Sequence, residues 1–509
     1  MKAEDLLNTH PMYQQTAKEA DFFYRSYVGG KLYQKGEYLI KYLGEDNTPG
    51  DSYGKRIGAT PLDNHVKTTV DIYSSFIFRN LPKRTLGQLY SNPSVQQFMK
   101  NTDQNGMGLD SFMKSINDMA LVLGSVWLLV DKPNYAVSSA AEAEALGIKP
   151  YVCAYTPQNV LDWEYKRSVN GTHQLSYVKV LESESNNQSS VTEWYPDRIV
   201  KSIVQTNDLG DASHIVSTEE FVNPLGIVPF INYAPLPAPQ KGIGYSVVGD
   251  VAYSQKYIYN LLSELEQNIR ISGHPSLVKT PSTRASAGAG AIIEVQEDME
   301  PGLKPYLLQP SGSSIDGILD AIDKIVHSIH RMTHTSAVQI MRGSPMSGVA
   351  LATERQLLNT KLAQISQGLE ETEQKIWNLF MVWQELDMPE DFSIHYAQTF
   401  DIRDEHSDLE LYRKALTTVS DPKFVEEMNV KVAELLIDNE ETLKQVTDSI
   451  TTPVAPDAGP VPMTHPTTSA ETRADHIREM IAGNYSDVEI LQLHPEISQE
   501  DINRARNSN

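Results

Sequence analysis

Three long helical patterns, separated by two segments that cannot continue a helix, dominate the stretch from Tyr245 to Trp383. In the first, apolar residues at Val247, Val248, Val251, Ile258, Leu261, Leu262, Leu265 and Ile269 recur at helical spacing until Gly273 and Pro275 stop them. At 1.5 Å per residue such a helix reaches roughly 40 Å. The second, 314–333, carries Ile315, Ile318, Leu319, Ile322, Ile325, Val326 and Ile329 on a stripe. Asp316, Asp320 and Asp323 crowd its first half and Arg331 its last turn, a distribution that suits the helix dipole. The third places Leu351, Leu358, Leu362, Ile365, Leu369, Ile376, Phe380 and Trp383 at spacings of three, four and seven. Helices of this length draw most of their stability from packing, so the pattern demands neighbours. It points to a component of a ring rather than to an enzyme built around a pocket.

Between the second and third patterns, Gly343, Pro345 and Gly348 forbid a continuous helix, while Met341, Arg342 and Met346 are long and adaptable. Such a loop projects toward a partner on one reading; on the blander one it is an ordinary interhelical connection.

This order of elements resembles that of tailed-bacteriophage portal proteins, the head-to-tail connector rings at one capsid vertex through which DNA is packaged and ejected. The likeness covers roughly 71–383 and rests on order and lengths, not on a single motif. Asn223-Pro-Leu-Gly-Ile-Val-Pro-Phe230 is similar to the turn and strand that precede the first stem helix in that family, and 151–194 to its β-rich wing insertion. The resemblance implies an α+β subunit with an α/β wing, a long helical stem, a small clip and a C-terminal helical crown. By position, 1–245 would be the wing with its β-rich insertion around 151–217, 246–272 the first stem helix, 273–313 the clip and 314–333 the second stem helix. The tunnel loop would be 334–349, the long wing helix and following strand 350–400, and the crown 401–450. A Pro-rich linker, 451–469, and a C-terminal tail, 470–509, follow. Segment 285–291 is richer in small residues than a clip usually is, and the C-terminal region matches no family motif.

The same resemblance supplies partners and site residues. It implies a dodecamer that docks the terminase large subunit and later a head-completion or tail adaptor protein, contacts major capsid and scaffold proteins, and touches double-stranded DNA transiently. The protein would assemble in the host cytoplasm, away from membranes, and reside in the virion. It would be no enzyme, with no catalytic residues, metal or cofactor, the motor being a separate terminase. Met341, Arg342, Gly343, Ser344, Met346 and Ser347 would form the DNA-channel loop, Lys279, Arg284 and Lys304 the partner-binding surface of the clip, and Asp316, Asp320 and Asp323 an acidic stem face.

Composition agrees with this reading. A formal charge of −23 and a pI near 5.0 argue against a protein that grips nucleic acid by neutralising its phosphates. They suit a conduit, because an acidic wall keeps a moving duplex from sticking; the same acids would also simply solubilise an exterior. No run approaches the roughly 18 apolar residues of a membrane span, and the N-terminus lacks the pattern of a secretory signal. Cys153 is the only cysteine, which excludes an intrachain disulfide and predicts a small buried hydrophobe.

Elsewhere the pattern predicts a helix over 63–78, another beginning near Gly108, and a buried strand at Ser125-Val-Trp-Leu-Leu-Val130. Leu6 to Leu43 is tyrosine-rich with weak helical periodicity. Alternating runs at 175–181 and 190–195, with a hairpin signal at Asn170-Gly171, predict an antiparallel β-subdomain over 151–217. Two acidic helices are expected at 404–418 and 421–446.

Several apparent chemical motifs dissolve on inspection. Gly242-Ile-Gly244 lacks the spacing and preceding strand of a dinucleotide fingerprint, and Gly288-Ala-Gly290 lacks the Lys-Ser/Thr of a phosphate cradle. His327, His330 and His334 sit at i, i+3 and i+7, so a metal-dependent enzyme using one histidine face is an alternative. Another ring-forming connector scaffold is a second. The acidic cluster Asp401, Asp404, Glu405 and His406 reads as a solvated segment.

Overall fold

Gly124 marks the point where the chain turns from helix into sheet. Its N–H closes the preceding helix on the Ala120 carbonyl at 2.8 Å, its φ is +90°, and an added Cβ would lie 2.5 Å from the Gly244 carbonyl oxygen, so glycine is required twice over. The strand that follows is apolar on both faces.

The computed structural model describes residues 2–45, 51–133, 148–185, 187–207, 212–273, 276–281, 298, 300–308, 313–336, 348–400, 405–419, 421–436, 442, 446, 447, 449 and 450. Helices α1 to α7 are Ala3–Leu7, Tyr13–Val28, Gly30–Gln34, Ser52–Ala59, His65–Ile77, Pro93–Lys100 and Leu109–Leu123, with strand β1 at Lys83–Thr85. Strands β2 to β9 are Val126–Asp131, Tyr151–Tyr155, Val160–Arg167, His173–Ser185, Gln188–Trp194, Arg198–Thr206, Ala212–Val222 and Phe230–Tyr233. Then come α8 (Gly249–Gly273), β10 (Ser276–Val278), β11 (Tyr306–Leu308), α9 (Ser313–Thr333), α10 (Gly348–Gln384), β12 (Ser393–His395), α11 (Glu405–Thr418) and α12 (Pro422–Leu436). The fold mixes helix and sheet. Two compact units divide it, Met1–Asp401 and Ile402–Asn509; in the second, α11 and α12 pack on each other.

In the first unit β2 lies between β3 and β9 in an antiparallel sheet. Val126, Leu128 and Val130 face a core built by α2, α5, α7, α8 and α10, whereas Trp127 and Leu129 face a second core with Trp163, Trp194 and Phe230. Two buried faces explain why β2 reads as an uninterrupted apolar run instead of an alternation. Helix α10 lays Leu358, Leu362, Ile365, Leu369, Ile376, Trp377 and Phe380 into the first core, all at 3% exposure or less. Each such side chain contributes about 1.5–3 kcal/mol through burial.

Strands β4 to β8 form a five-stranded antiparallel meander in sequence order, and the tight turn at Asn170-Gly171 joins its first two strands. The sequence placed this subdomain at 151–217; the sheet instead spans Val160–Val222, because β3 is captured by β2 through Asp131↔Tyr151 to Trp127↔Tyr155. Val247, assigned to the first long helix, precedes it: its N–H donates to the Leu121 carbonyl at 3.0 Å, and the helix starts at Gly249. Cys153 is half-buried at the edge of the second core, not fully buried, and burial followed by the nearby Glu182 and Asp131 carboxylates pushes its thiol up to about 11. The Pro-rich linker, the tail 470–509 and most of 437–450 lie outside the described residues.

A buried charge network ties the elements of the first core together. The Arg84 guanidinium on β1 donates to both carboxylate oxygens of Glu373 on α10, at 2.5 and 3.0 Å, and to Asp110 at 2.6 Å. Trp377 Nε1 and the Tyr396 hydroxyl donate to the same Glu373 carboxylate, which has no exposed surface. Burial alone pulls Arg84 toward neutrality, but the hydrogen bonds and charge of Glu373 outweigh it and hold the guanidinium charged. Removing one partner strands the other charge in the core. Glu373→Ala should therefore cost about 3–5 kcal/mol, read as a lowered urea midpoint for the first unit; a change under about 1 kcal/mol would show the network to be ornamental.

Candidate functional site

Helices α8 and α9 form an antiparallel pair whose outer ends are joined through the two-stranded β10–β11 ribbon. Only the first half of α8 is seated in the body: Val251, Ala252, Gln255, Ile258, Tyr259 and Ser263 are buried, and no residue after Ser263 is. Arg56 fastens that seated half. It donates to Ser263 Oγ at 3.0 Å, to the Ile40 carbonyl at 2.7 Å and to both oxygens of Glu45, with Tyr42 stacked 4.0 Å from it.

Helix α9 is buried only at its last turn, through Ile329, His330 and Thr333. Its stripe of Ile315, Ile318, Ile322, Ile325 and Val326 is half-buried, and Leu319 is 44% exposed. On α8, Tyr257 is 57% and Ile269 54% exposed, and a groove of about 470 Å³ runs along Leu262, Leu265 and Ile269 beside Pro61. The pair thus exposes apolar side chains on both helices, together with an apolar-lined groove on α8, which makes it the candidate interaction surface.

Asp316, Asp320 and Asp323 are all exposed and, at i, i+4 and i+7, line one side of α9. Lys279 and Lys304 are exposed at the same end of the ribbon, where Val278 pairs with Tyr306. Arg284, Met341, Arg342, Gly343, Ser344, Met346 and Ser347 lie outside the described residues, so the structure does not place them.

The histidine face does not converge. His327 is exposed and His334 half-buried with φ +56°, whereas His330 is buried, its Nδ1 3.1 Å from Thr335 Oγ1. Among the described residues no three His, Cys, Asp or Glu side chains lie where they would hold a metal ion. His330 instead belongs to a polar anchor that fixes the chain as it leaves α9. Thr335 N–H donates to the His330 carbonyl at 2.9 Å, the two threonine hydroxyls of Thr333 and Thr335 are 2.8 Å apart, and the Tyr73 hydroxyl donates to the Thr333 carbonyl at 2.6 Å. Sequence reasoning missed this anchor and the Arg56 clamp, since a lone His, Thr or Arg carries no periodic signal.

No family model matches this chain, and no curated protein matches it by sequence. Among the described residues, no helix is long and apolar enough to cross a membrane.

Burial first, then the positive charge of His65 and His327, lowers the His330 pKa below its ordinary 6.5, with Asp63 acting in the opposite direction. The unfolded chain therefore takes up this proton before the folded one does, and stability present above pH 6.5 is lost as the pH falls through and below it. His330→Gln should flatten the acid-side fall of the thermal midpoint, whatever it does to the midpoint at neutral pH. An unchanged slope would remove His330 from the acid response.

Proposed function

We propose that this chain is a portal-type subunit that closes into a ring around an aqueous channel for DNA. The observation that carries the reading is the α8–α9 hairpin, whose apolar stripes exceed what one chain buries. Equivalent helices of neighbouring copies supply the missing cover, and a heterologous contact of this kind closes on itself when the rotation between copies divides a full turn.

In this reading α8 and α9 are the stem, the segment between them is the clip, the body built on β2 and α10 is the wing, and 401–450 is the crown. Twelve copies, the number implied by the family likeness, sit at one capsid vertex of the virion. The exposed row Asp316, Asp320 and Asp323, within a chain of charge −23, supports a passage that repels phosphate and lets the duplex slide. Lys279, Arg284 and Lys304 engage the terminase large subunit during packaging and then a head-completion or tail adaptor protein. The wing meets the major capsid and scaffold proteins, and Met341 to Ser347 supply brief contacts with DNA. Nothing in this mechanism alters DNA chemically. The divergence of His327, His330 and His334 leaves the metal-enzyme alternative without a geometric basis in the described residues.

Native mass tests the central claim. Wild-type protein should form a discrete high-mass ring, and Leu319→Asp with Ile269→Asp should shift it to monomer while leaving the thermal midpoint within about 0.5 kcal/mol equivalent, as expected for exposed positions. A wild-type chain that is monomeric under every assembly condition sinks the proposal. Deleting 341–347 should leave the ring intact and impair genome filling; normal filling would take that segment out of the mechanism.

A further inference from the structure

The five-stranded meander ends in two edges that carry no further strand among the described residues: β4 pairs only with β5, and β8 only with β7. Proteins normally blunt such edges with bulges, prolines or lysines. Helix α1 packs against β8, but the last six residues of the strand, 217–222, carry no bulge, proline or lysine. Their register with β7 runs unbroken from Ile203↔Ser217 to Arg198↔Val222, the shifts being confined to the other half of the strand. All six are exposed, Phe221 by 40% and Val222 by 80%.

The opposite edge is complementary. The start of β4 is covered, since the His10 N–H donates to the Leu161 carbonyl at 2.8 Å. Its far end carries exposed Lys166 and Arg167, and the hairpin tip just beyond presents Val169 at 108% relative exposure.

We propose that, in the ring argued for above, the end of β4 in one copy adds alongside 217–222 of the next copy. Four successive antiparallel pairings leave β4 and β8 running in the same direction, so copies related by rotation about an axis along the strands meet in parallel. With Lys166 beside Glu219, Arg167 falls beside Glu220, because the spacing is the same on both strands, and the hairpin tip that carries Val169 follows on the side of Val222. Val169 then meets a groove of about 560 Å³ bounded by Phe221, Val222, Pro224 and Trp383. Both existing ion pairs, Lys166 with Glu164 at 3.0 Å and Arg198 with Glu220 at 3.8 Å, are exposed and weak enough to exchange. The charges set register and choice of edge; backbone pairing and the apolar contact supply affinity.

The proposal rests on ring formation and is tested separately from it by cross-linking. Neighbouring strands lie about 4.8 Å apart, within the range a disulfide spans. The native Cys153 gives little background, because its thiol is half-buried and stays protonated. Assembled Lys166→Cys/Glu219→Cys protein should run as covalent multimers after oxidation, while either single variant runs as monomer. Glu219→Lys/Glu220→Lys should cut the assembled fraction by about tenfold or more, and adding Lys166→Glu/Arg167→Glu should restore it. Particles of ring mass that stay uncross-linked, or that assemble normally with the reversed β8 charges, overturn the edge pairing and leave the ring standing. A chain that never assembles overturns both.

Discussion

The Glu373 carboxylate, with no exposed surface and four hydrogen-bond donations from Arg84, Trp377 and Tyr396, is the contact on which the first unit hangs. It sits in the middle of α10, the helix that crosses the first core, and reaches out to β1, to the β12 region and, through Arg84, to α7. A carboxylate so buried is tolerated only because every one of its neighbours donates to it. The geometry is also selective: sliding α10 by one turn would carry Glu373 away from Arg84 and lift Trp377 and Phe380 out of the core. Fixing the register of α10 fixes β2 as well, since Trp383 Nε1 donates to the Val130 carbonyl at 2.9 Å. The sheet β3-β2-β9 and both cores follow from that placement.

A body held this firmly can carry a hairpin that is held at one end only. Arg56 clamps α8 at Ser263, and the Tyr73–Thr333–Thr335–His330 anchor clamps α9 at its last turn. Toward the body, Leu262 of α8 and Ile322, Ile325 and Val326 of α9 pack against the first core. Farther out, Ile315 and Ile318 are half-buried and Leu319 and Ile269 exposed, so the wet part of the stripe lies toward the ribbon. In the ring proposed above, the hairpin would gain its cover on association while the folded body lost little ordering entropy at docking.

Much of this was legible in the sequence, for a physical reason. Periodicity reports which residues one element hides, and α8, α9 and α10 are long enough for the 3.6-residue repeat to stand clear of chance. The same held for the Leu109–Leu123 helix, the β2 run and the Asn170-Gly171 turn. What periodicity does not report is partner choice. Nothing in the spacing of Tyr151–Tyr155 distinguishes pairing with β2 from membership of the meander, and the capture of β3 is decided by Trp127, Leu129 and Phe230 building the second core around it. Polar anchors were invisible for a related reason: Arg84 and Glu373 are 289 positions apart, and each alone resembles an ordinary surface residue. Of the candidate site, the acidic row on α9 follows from helical spacing, whereas the channel loop and Arg284 fall outside what the structure describes.

Charge links the hairpin to the meander. A chain of −23 repels its own copies, so association needs either salt or local complementarity at the contacts. The exposed acids of α9 cannot provide complementarity to each other, so in the proposed ring the contact between hairpins would be apolar in character. The meander differs, because its two edges carry opposite sign: Lys166 and Arg167 at the end of β4, Glu219 and Glu220 on β8. In the head-to-tail arrangement proposed above each copy would offer both edges, so the attraction would recur at every interface, while the like charge of the α9 row would stay spread along that helix. The proposed ring, with sheet edges that attract and α8–α9 helices that pack dry, would satisfy both requirements with one rotation between neighbours.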